Sequence, residues 1–170
     1  MVILSVRHKI IKNHFPEMQA AVQELDGTKI NVGCLEGEAA YYASIHEYGC
    51  KIQVTPKMRA WLHHQGVHLK PDTTVIVIPE RAFLRGGFDQ YAENVLESAD
   101  TVLGDVVNGT MSVDEYTKMI GLLLASKIKQ YARDLKSPPN SALTVQWKGS
   151  SNPLVDTGDL INSITYEVEK

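Results

Sequence analysis

Histidine and glutamate side chains are the first residues of this sequence that could do chemistry. His46 and Glu47 are adjacent, and the densest histidine cluster comprises His63, His64 and His68. Imidazole and carboxylate groups can bind zinc or act as general acids and bases. Neither the two-histidine spacing of zinc proteases nor a nearby third ligand accompanies His46. In the cluster, adjacent helical residues point about 100° apart, which disfavours a shared metal. We therefore predict no metal site, a structural role for His46 and Glu47, and surface positions for the cluster.

A second candidate site is the turn formed by Asp156, Thr157 and Gly158, which looks like the active-site turn of aspartic proteases. Such enzymes pair two carboxylates that share a proton, and each carboxylate comes from a separate turn or subunit. Only twelve residues follow Gly158, too few to build the flap and the barrel wall of such an enzyme. We interpret Asp156 instead as the cap of a short helix, accepting a hydrogen bond from the backbone N–H of Asp159. A small hydrolase remains the alternative.

A third candidate is the Gly86-Gly87 pair beside Arg85, ahead of a helix predicted over residues 88–107. Glycines at the start of a helix can bind a phosphate. The spacings of dinucleotide-binding and P-loop motifs are both missing. We therefore expect no nucleotide and no other cofactor.

Composition limits the classes of protein that the sequence can encode. The chain has 170 residues, of which 44% are hydrophobic and 22% are charged, as in ordinary globular domains. The net charge of −3 argues against a dedicated DNA-binding protein. Cys34 and Cys50 provide no disulfide framework and suit a reducing cytoplasm. The longest apolar run, residues 120–125, is too short to span a membrane.

Hydrophobic periodicity predicts an α+β fold. One helical stripe includes Leu4, Ile11 and Leu25, and the clearest helix covers residues 112–136 and opens with a capping box of Ser112 and Glu115. Alternating patterns predict strands over residues 28–35, 51–54, 73–78 and 163–168. We expect a single domain over residues 1–170, in which a mainly antiparallel sheet of about four strands packs against long amphipathic helices. A helix–strand segment is inserted at about residues 51–78.

Three segments share a recognisable pattern: Ile45-His46-Glu47-Tyr48-Gly49, then Ile78-Pro79-Glu80-Arg81-Ala82-Phe83-Leu84-Arg85, and a C-terminal run containing Lys148-Gly149-Ser150, Pro153-Leu154-Val155-Asp156-Thr157-Gly158, Leu160 and Ser163-Ile164-Thr165. In this order they resemble the virion-morphogenesis proteins of tailed bacteriophages, which are head–tail joining, neck or tail-completion proteins. The signature positions are His46, Glu47, Gly49, Pro79, Arg81, Phe83, Pro153, Leu154, Asp156, Thr157, Gly158, Leu160 and Ser163. The chain departs from the shorter members in the inserted segment, and Ala82 stands where many members carry a second proline.

This resemblance implies a structural protein of the virion without enzymatic activity or cofactors. It implies a ring-forming neck or tail-completion component that joins the DNA-filled head to the tail, assembled from subunits made in the host cytoplasm. The implied partners are copies of the chain itself, head connector proteins, and tail-tube or tail-terminator proteins. DNA would pass through the lumen without sequence-specific binding, and no membrane would be involved. We further expect residues 66–73 and 137–152 to contact neighbouring subunits. A cytoplasmic binding module is an alternative, alongside the small hydrolase.

Overall fold

A computed structural model of the chain describes residues 14–170. Leu4 and Ile11 of the predicted N-terminal stripe therefore lie outside the described residues. Helix α1 spans Phe15–Gly27, with Pro16 in its first turn, where a missing backbone N–H costs no helical hydrogen bond. The mixed α+β class predicted from the sequence is confirmed, since 59% of the described residues are helical and the four strands among them form antiparallel pairs.

Two long helices, α4 (Phe83–Val107) and α5 (Val113–Asp134), are the centre of the structure. The predicted capping box opens α5. The N–H of Glu115 donates to Ser112 Oγ at 3.2 Å, and the N–H of Ser112 donates to the Glu115 carboxylate at 2.9 Å. Helix α4, by contrast, begins at Phe83 and not at Phe88 as predicted, so Gly86 and Gly87 lie inside its first turns.

The Gly86-Gly87 pair lets α4 approach α5 closely. A Cβ atom on Gly86 would lie 2.5 Å from the hydroxyl oxygen of Tyr131, and one on Gly87 would lie 3.2 Å from Cα of Ile128. A larger residue at position 86 would displace the Tyr131 ring, and one at position 87 would crowd the backbone of α5. These glycines therefore serve helix packing.

The predicted single sheet of four strands is wrong, because the strands form two separate antiparallel pairs. Strands β1 (Lys29–Cys34) and β4 (Ile164–Glu169) pair with each other and lie against α5. Strands β2 (Cys50–Gln53) and β3 (Val75–Ile78) form the second pair. The core packs one face of β1–β4 against the helices, whereas the second pair lies outside this core.

The second pair belongs to a projection formed by residues 50–78, which we call the arm. Between its strands, helix α3 (Pro56–His64) is capped by Thr55, whose side chain accepts from the N–H of Met58 at 3.1 Å. The guanidinium group of Arg59 donates to the carbonyls of Lys70 and Thr73, and these bonds hold the segment that connects α3 to β3. Within the described residues, the main packing of β2 and β3 is on each other. The arm therefore depends little on the core for its internal structure.

Three shorter helices complete the fold: α2 (Gly37–Tyr48), α6 (Ala142–Lys148) and α7 (Asp159–Asn162). The main core cluster joins α2, α4, α5, α7 and the first sheet, and Phe83, Ile128 and Ile164 are its largest fully buried side chains. A second cluster fills the far end of the α4–α5 pair, where α1 packs. No helix within residues 14–170 is long and apolar enough to cross a membrane.

Candidate functional site

The three signature segments, which are far apart in the sequence, meet where the arm joins the core. The backbone N–H of Arg81, just after the arm, donates to the carbonyl of His46 at 2.7 Å. Gly49 lies beside this junction with φ = 70°, and a Cβ atom there would lie 2.9 Å from the backbone nitrogen of Glu80. Only glycine combines this positive φ with so close a backbone approach. The junction thus fixes how the arm leaves the core.

Glu47 connects the first two segments by capping α4. Its carboxylate is buried and accepts from the backbone N–H groups of Leu84 at 2.9 Å and Arg85 at 3.0 Å. The side chain of Arg85 adds a 2.9 Å ion pair to the same carboxylate. Hydrogen bonds to Glu47 and then to Glu80 raise the pKa of Arg85. A negative charge at a helix N-terminus satisfies free N–H groups and opposes the helix dipole, so Glu47 determines where α4 begins.

Arg81 connects the second segment to the loop after α5. It is buried, with 5% of its surface exposed, and burial lowers its pKa. Its guanidinium group donates to the carbonyls of Pro138 at 2.9 Å and Pro139 at 3.2 Å, and to Asn140 Oδ1 at 3.2 Å. A planar guanidinium group can make several such bonds in a fixed geometry, which a lysine cannot reproduce.

Two asparagines extend this network, and neither was predicted from the sequence. Asn140 Nδ2 donates to the carbonyl of Asn152 at 3.2 Å, and Asn152 Oδ1 accepts from the N–H groups of Leu154 and Val155. The side-chain amide of Asn152 also donates to the carbonyl of Arg133 at the end of α5. The signal in the sequence was the Asn152-Pro153 dipeptide, since Asn before Pro commonly starts a turn stabilised by its own side chain.

The C-terminal segment contains both buried and exposed signature positions. Pro153 and Leu154 are buried, and Leu160 packs against the main core. The Oγ of Ser163 donates to the carbonyl of Leu160 at 2.8 Å and lies 3.2 Å from Cys34 Sγ. Burial raises the pKa of the Cys34 thiol, which favours the protonated, unreactive form.

The predicted capping role of Asp156 is wrong. The N–H of Asp159 points instead at Thr157 Oγ1, at the long distance of 3.4 Å, and the residue that precedes α7 is Gly158 with φ = 94°. Asp156 is exposed and faces a groove. A glycine in the left-handed conformation turns the chain here, so α7 does not require the Asp156 carboxylate as its cap.

The groove is a cavity of about 1020 Å³ between the arm and the C-terminal segment. One wall is β3 and Pro79, and the opposite wall is α6 with residues 153–160; α2 contributes Tyr42 and His46. Nine of the thirteen signature positions line it: His46, Pro79, Arg81, Pro153, Leu154, Asp156, Thr157, Gly158 and Leu160. The other four, Glu47, Gly49, Phe83 and Ser163, lie behind it, in the junction and the core.

Electrostatic conditions in the groove favour a neutral imidazole. Burial, followed by the positive charges of Arg81 and Lys148, lowers the pKa of His46. Its Nδ1 atom is buried without a hydrogen-bond partner in the part of the chain that the structure describes. Burial also lowers the pKa of Lys148, whose Nζ lies 3.4 Å from the carbonyl of Pro153.

The groups in this region are arranged for positioning and recognition. The Glu47 carboxylate contacts backbone N–H groups and Arg85, and the Thr157 hydroxyl donates to the Asp159 carboxylate at 2.6 Å. His63, His64 and His68 are exposed, as predicted, with the rings of His63 and His68 in edge contact at 4.5 Å. Among residues 14–170, no group of three or more His, Cys, Asp or Glu side chains is placed to hold a metal ion.

Comparisons of the chain with protein-family models, curated proteins and solved structures find no match.

Proposed function

We propose that this chain is a structural virion subunit of a tailed bacteriophage or prophage, forming part of a ring that joins the head to the tail. Its partners would be further copies of the chain, head connector proteins, and tail-tube or tail-terminator proteins. The resemblance of the three sequence segments to neck and tail-completion proteins is the starting point of the proposal.

The observation that carries the proposal is one hydrogen-bonded network that joins the first two segments directly and connects them to the third through Asn140 and Asn152. Glu47 caps α4, Arg81 holds the loop at residues 138–140, and Gly49 sets the direction of the arm. Each of these roles fixes the relative placement of elements, and none is a step in a reaction. A structural protein acts through its shape and its contacts. It therefore requires signature residues that hold its elements in place in this way.

Exposed apolar side chains supply surfaces for neighbouring subunits. Trp61 on the arm is 59% exposed, and Tyr41, Tyr42 and Tyr48 along α2 are exposed as well. Aromatic residues are enriched at protein–protein interfaces because they bury a large area at low cost in conformational entropy. In a ring, the arm and the segment at residues 137–152 would reach adjacent subunits. The net charge of −3 suits a lumen that lets DNA pass without retaining it.

Particle assembly without this protein tests the proposal. We expect electron microscopy of a lysate from phage lacking the gene to show DNA-filled heads and complete tails as separate objects. Adding the purified protein back should restore joined particles. Joined, infectious particles in the absence of the protein would contradict a role at the joint, and heads that never fill would place its action earlier in assembly.

A further inference from the structure

Strand β3 has a free edge. The N–H of Val54 donates to the carbonyl of Thr74 at 2.8 Å, and the register continues with Ile52 opposite Ile76. Hydrogen-bonded and non-hydrogen-bonded pairs alternate along an antiparallel ladder. Ile76, two residues after Thr74, therefore directs its backbone N–H and C=O towards β2.

It follows that Val75 and Val77 direct their backbone N–H and C=O groups away from β2. Within residues 14–170 no further strand pairs with this side of β3. The side chain of Val77 is 60% exposed, so little of the described chain covers it. Unpaired backbone groups on an exposed strand are a template for an additional strand.

The free edge faces the groove. Three consecutive residues of β3, namely Ile76, Val77 and Ile78, line the groove, and β2 contributes none. Consecutive side chains of a strand point to opposite faces. A cavity that touches all three and no residue of β2 therefore lies along the edge and not over one face of the pair.

The exposed charged side chains that line the groove are all acidic. Glu38, Asp156 and Asp159 line it and are exposed. Its two cations keep their charge but are less accessible, since buried Arg81 donates to the loop at residues 138–140 and half-buried Lys148 to the carbonyl of Pro153, and three carboxylates thus outnumber them. Apolar groups of Ile76, Pro139 and Leu154 line the remainder. The groove thus complements an apolar chain with positive charges.

We propose that this groove binds an extended peptide segment of a partner protein, in which β-branched apolar residues alternate with lysine or arginine, and that the segment adds to β3 as a third strand. Backbone hydrogen bonds to Val75 and Val77 supply affinity in this mode, and pockets and charges for alternate side chains supply specificity. The cavity of about 1020 Å³ is at the upper end of the range for binding pockets, roughly 300–1,000 Å³. The inference needs only one chain and does not depend on the role proposed at the head–tail joint.

The test uses the whole protein and a fluorescent, end-capped peptide of about eight alternating valine and lysine residues, a length typical of strands. Binding is measured by anisotropy. Replacing each lysine of the peptide by glutamate should abolish binding. Methylating the valine backbone nitrogens, which removes every second N–H donor, should weaken binding about tenfold or more, as expected from the loss of one or two hydrogen bonds.

The matched protein variants are Val77→Pro and Gln53→Pro. Each removes one outward-facing N–H from an edge of the same strand pair, but only Val77 lies in the groove. Val77→Pro should weaken binding about tenfold or more and Gln53→Pro by less than about twofold, with unchanged circular dichroism for both. Asp156→Asn should weaken lysine-peptide binding and flatten its salt dependence.

Four results of the peptide-binding measurements would overturn the proposal. These are no binding at about 1 mM peptide, equal binding of the lysine and glutamate peptides, full affinity of the N-methylated peptide, or equal weakening by the two proline variants. Self-association that Val77→Pro abolishes and the peptide does not displace would also overturn it, because the occupant of the groove would then be a second copy of this chain.

Discussion

Arg85 is joined to Glu47 by three hydrogen bonds: its backbone N–H and Nε donate to Glu47 Oε1 at 3.0 and 2.9 Å, and its Nη2 donates to the carbonyl of Glu47 at 2.9 Å. Glu47 lies at the end of α2, 36 positions before Phe83 in the sequence, and it thereby fixes the start of α4. The arm leaves and returns between these two elements. The contacts between Glu47 and Arg85 therefore hold α2 and α4 together and set the geometry of both the arm and the groove.

We expect Glu47→Ala to lower the free energy of unfolding by about 3 kcal/mol, because it leaves buried N–H groups without an acceptor. Glu80→Ala is the matched control, since Glu80 also binds Arg85 but is exposed and caps no helix; it should change stability little. Denaturant unfolding measures both. Equal effects would show that the exposed ion pair, and not the buried cap, stabilises the junction.

Gly49→Ala should destabilise the protein more than Gly149→Ala. Gly49 combines φ = 70° and ψ = 168° with backbone atoms 2.9 and 3.0 Å from the position that a Cβ atom would occupy, so both strain and overlap oppose alanine. Gly149 has φ = 66° and ψ = 10° in open space and faces only the left-handed cost of roughly 1–2 kcal/mol. Similar melting temperatures for the two variants would show that the arm can shift to make room.

Leu124 and Leu122 lie two residues apart in α5 and test which face of the helix packs on the core. Leu124 is buried in the main cluster, whereas Leu122 is 59% exposed. Leu124→Ala should cost about 2–5 kcal/mol of unfolding free energy, and Leu122→Ala less than about 0.5 kcal/mol. A large loss from Leu122→Ala in the isolated chain would mean that this face is already covered by another copy in solution.

Stability should decrease as the pH falls below about 6.5, the ordinary pKa of histidine. Burial and the charges of Arg81 and Lys148 lower the pKa of His46 in the folded chain, so the unfolded chain binds a proton first. The contribution of neutral His46 to stability is fully present above the pKa that His46 has in the unfolded chain. It is lost as the pH falls through the lower pKa that His46 has in the folded chain. Urea midpoints measured between about pH 7.5 and 5.5 should therefore depend less on pH in His46→Gln than in the wild type.

Exposed His64 provides the control for this measurement. His64→Gln should retain the wild-type pH dependence, because its ring is in solvent. If His46→Gln and His64→Gln flatten the profile equally, the imidazole of His46 is not the group responsible.

Local sequence signals were sufficient for most elements. The capping box at Ser112 predicted the start of α5 that the structure has, and the Thr55-Pro56 pair at the start of α3 and the glycine after α2 are local signals of the same kind. The alternating patterns also located all four strands to within about two residues. These features depend on neighbours a few residues apart, which a single sequence displays directly.

Long-range contacts explain what the sequence did not reveal. The start of α4 was misplaced because its cap, Glu47, comes from another helix, and the Gly86-Gly87 pair suggested a helix start although it serves packing against Tyr131 and Ile128. Alternation predicts that a strand exists but not its partner, so four strands could be assigned to one sheet. Resemblance identified nine groove-lining positions without indicating that a free strand edge lies opposite them.

We propose that the chain is a component of the head–tail joint, and labelling finished virions tests this proposal most directly. A short affinity tag after the exposed Lys170 can be marked with gold particles and located by electron microscopy in particles that remain infectious. We expect the label at the junction between head and tail in each labelled particle. Label at the tail tip or over the capsid surface, or infectious virions that contain none of the protein, would contradict the account.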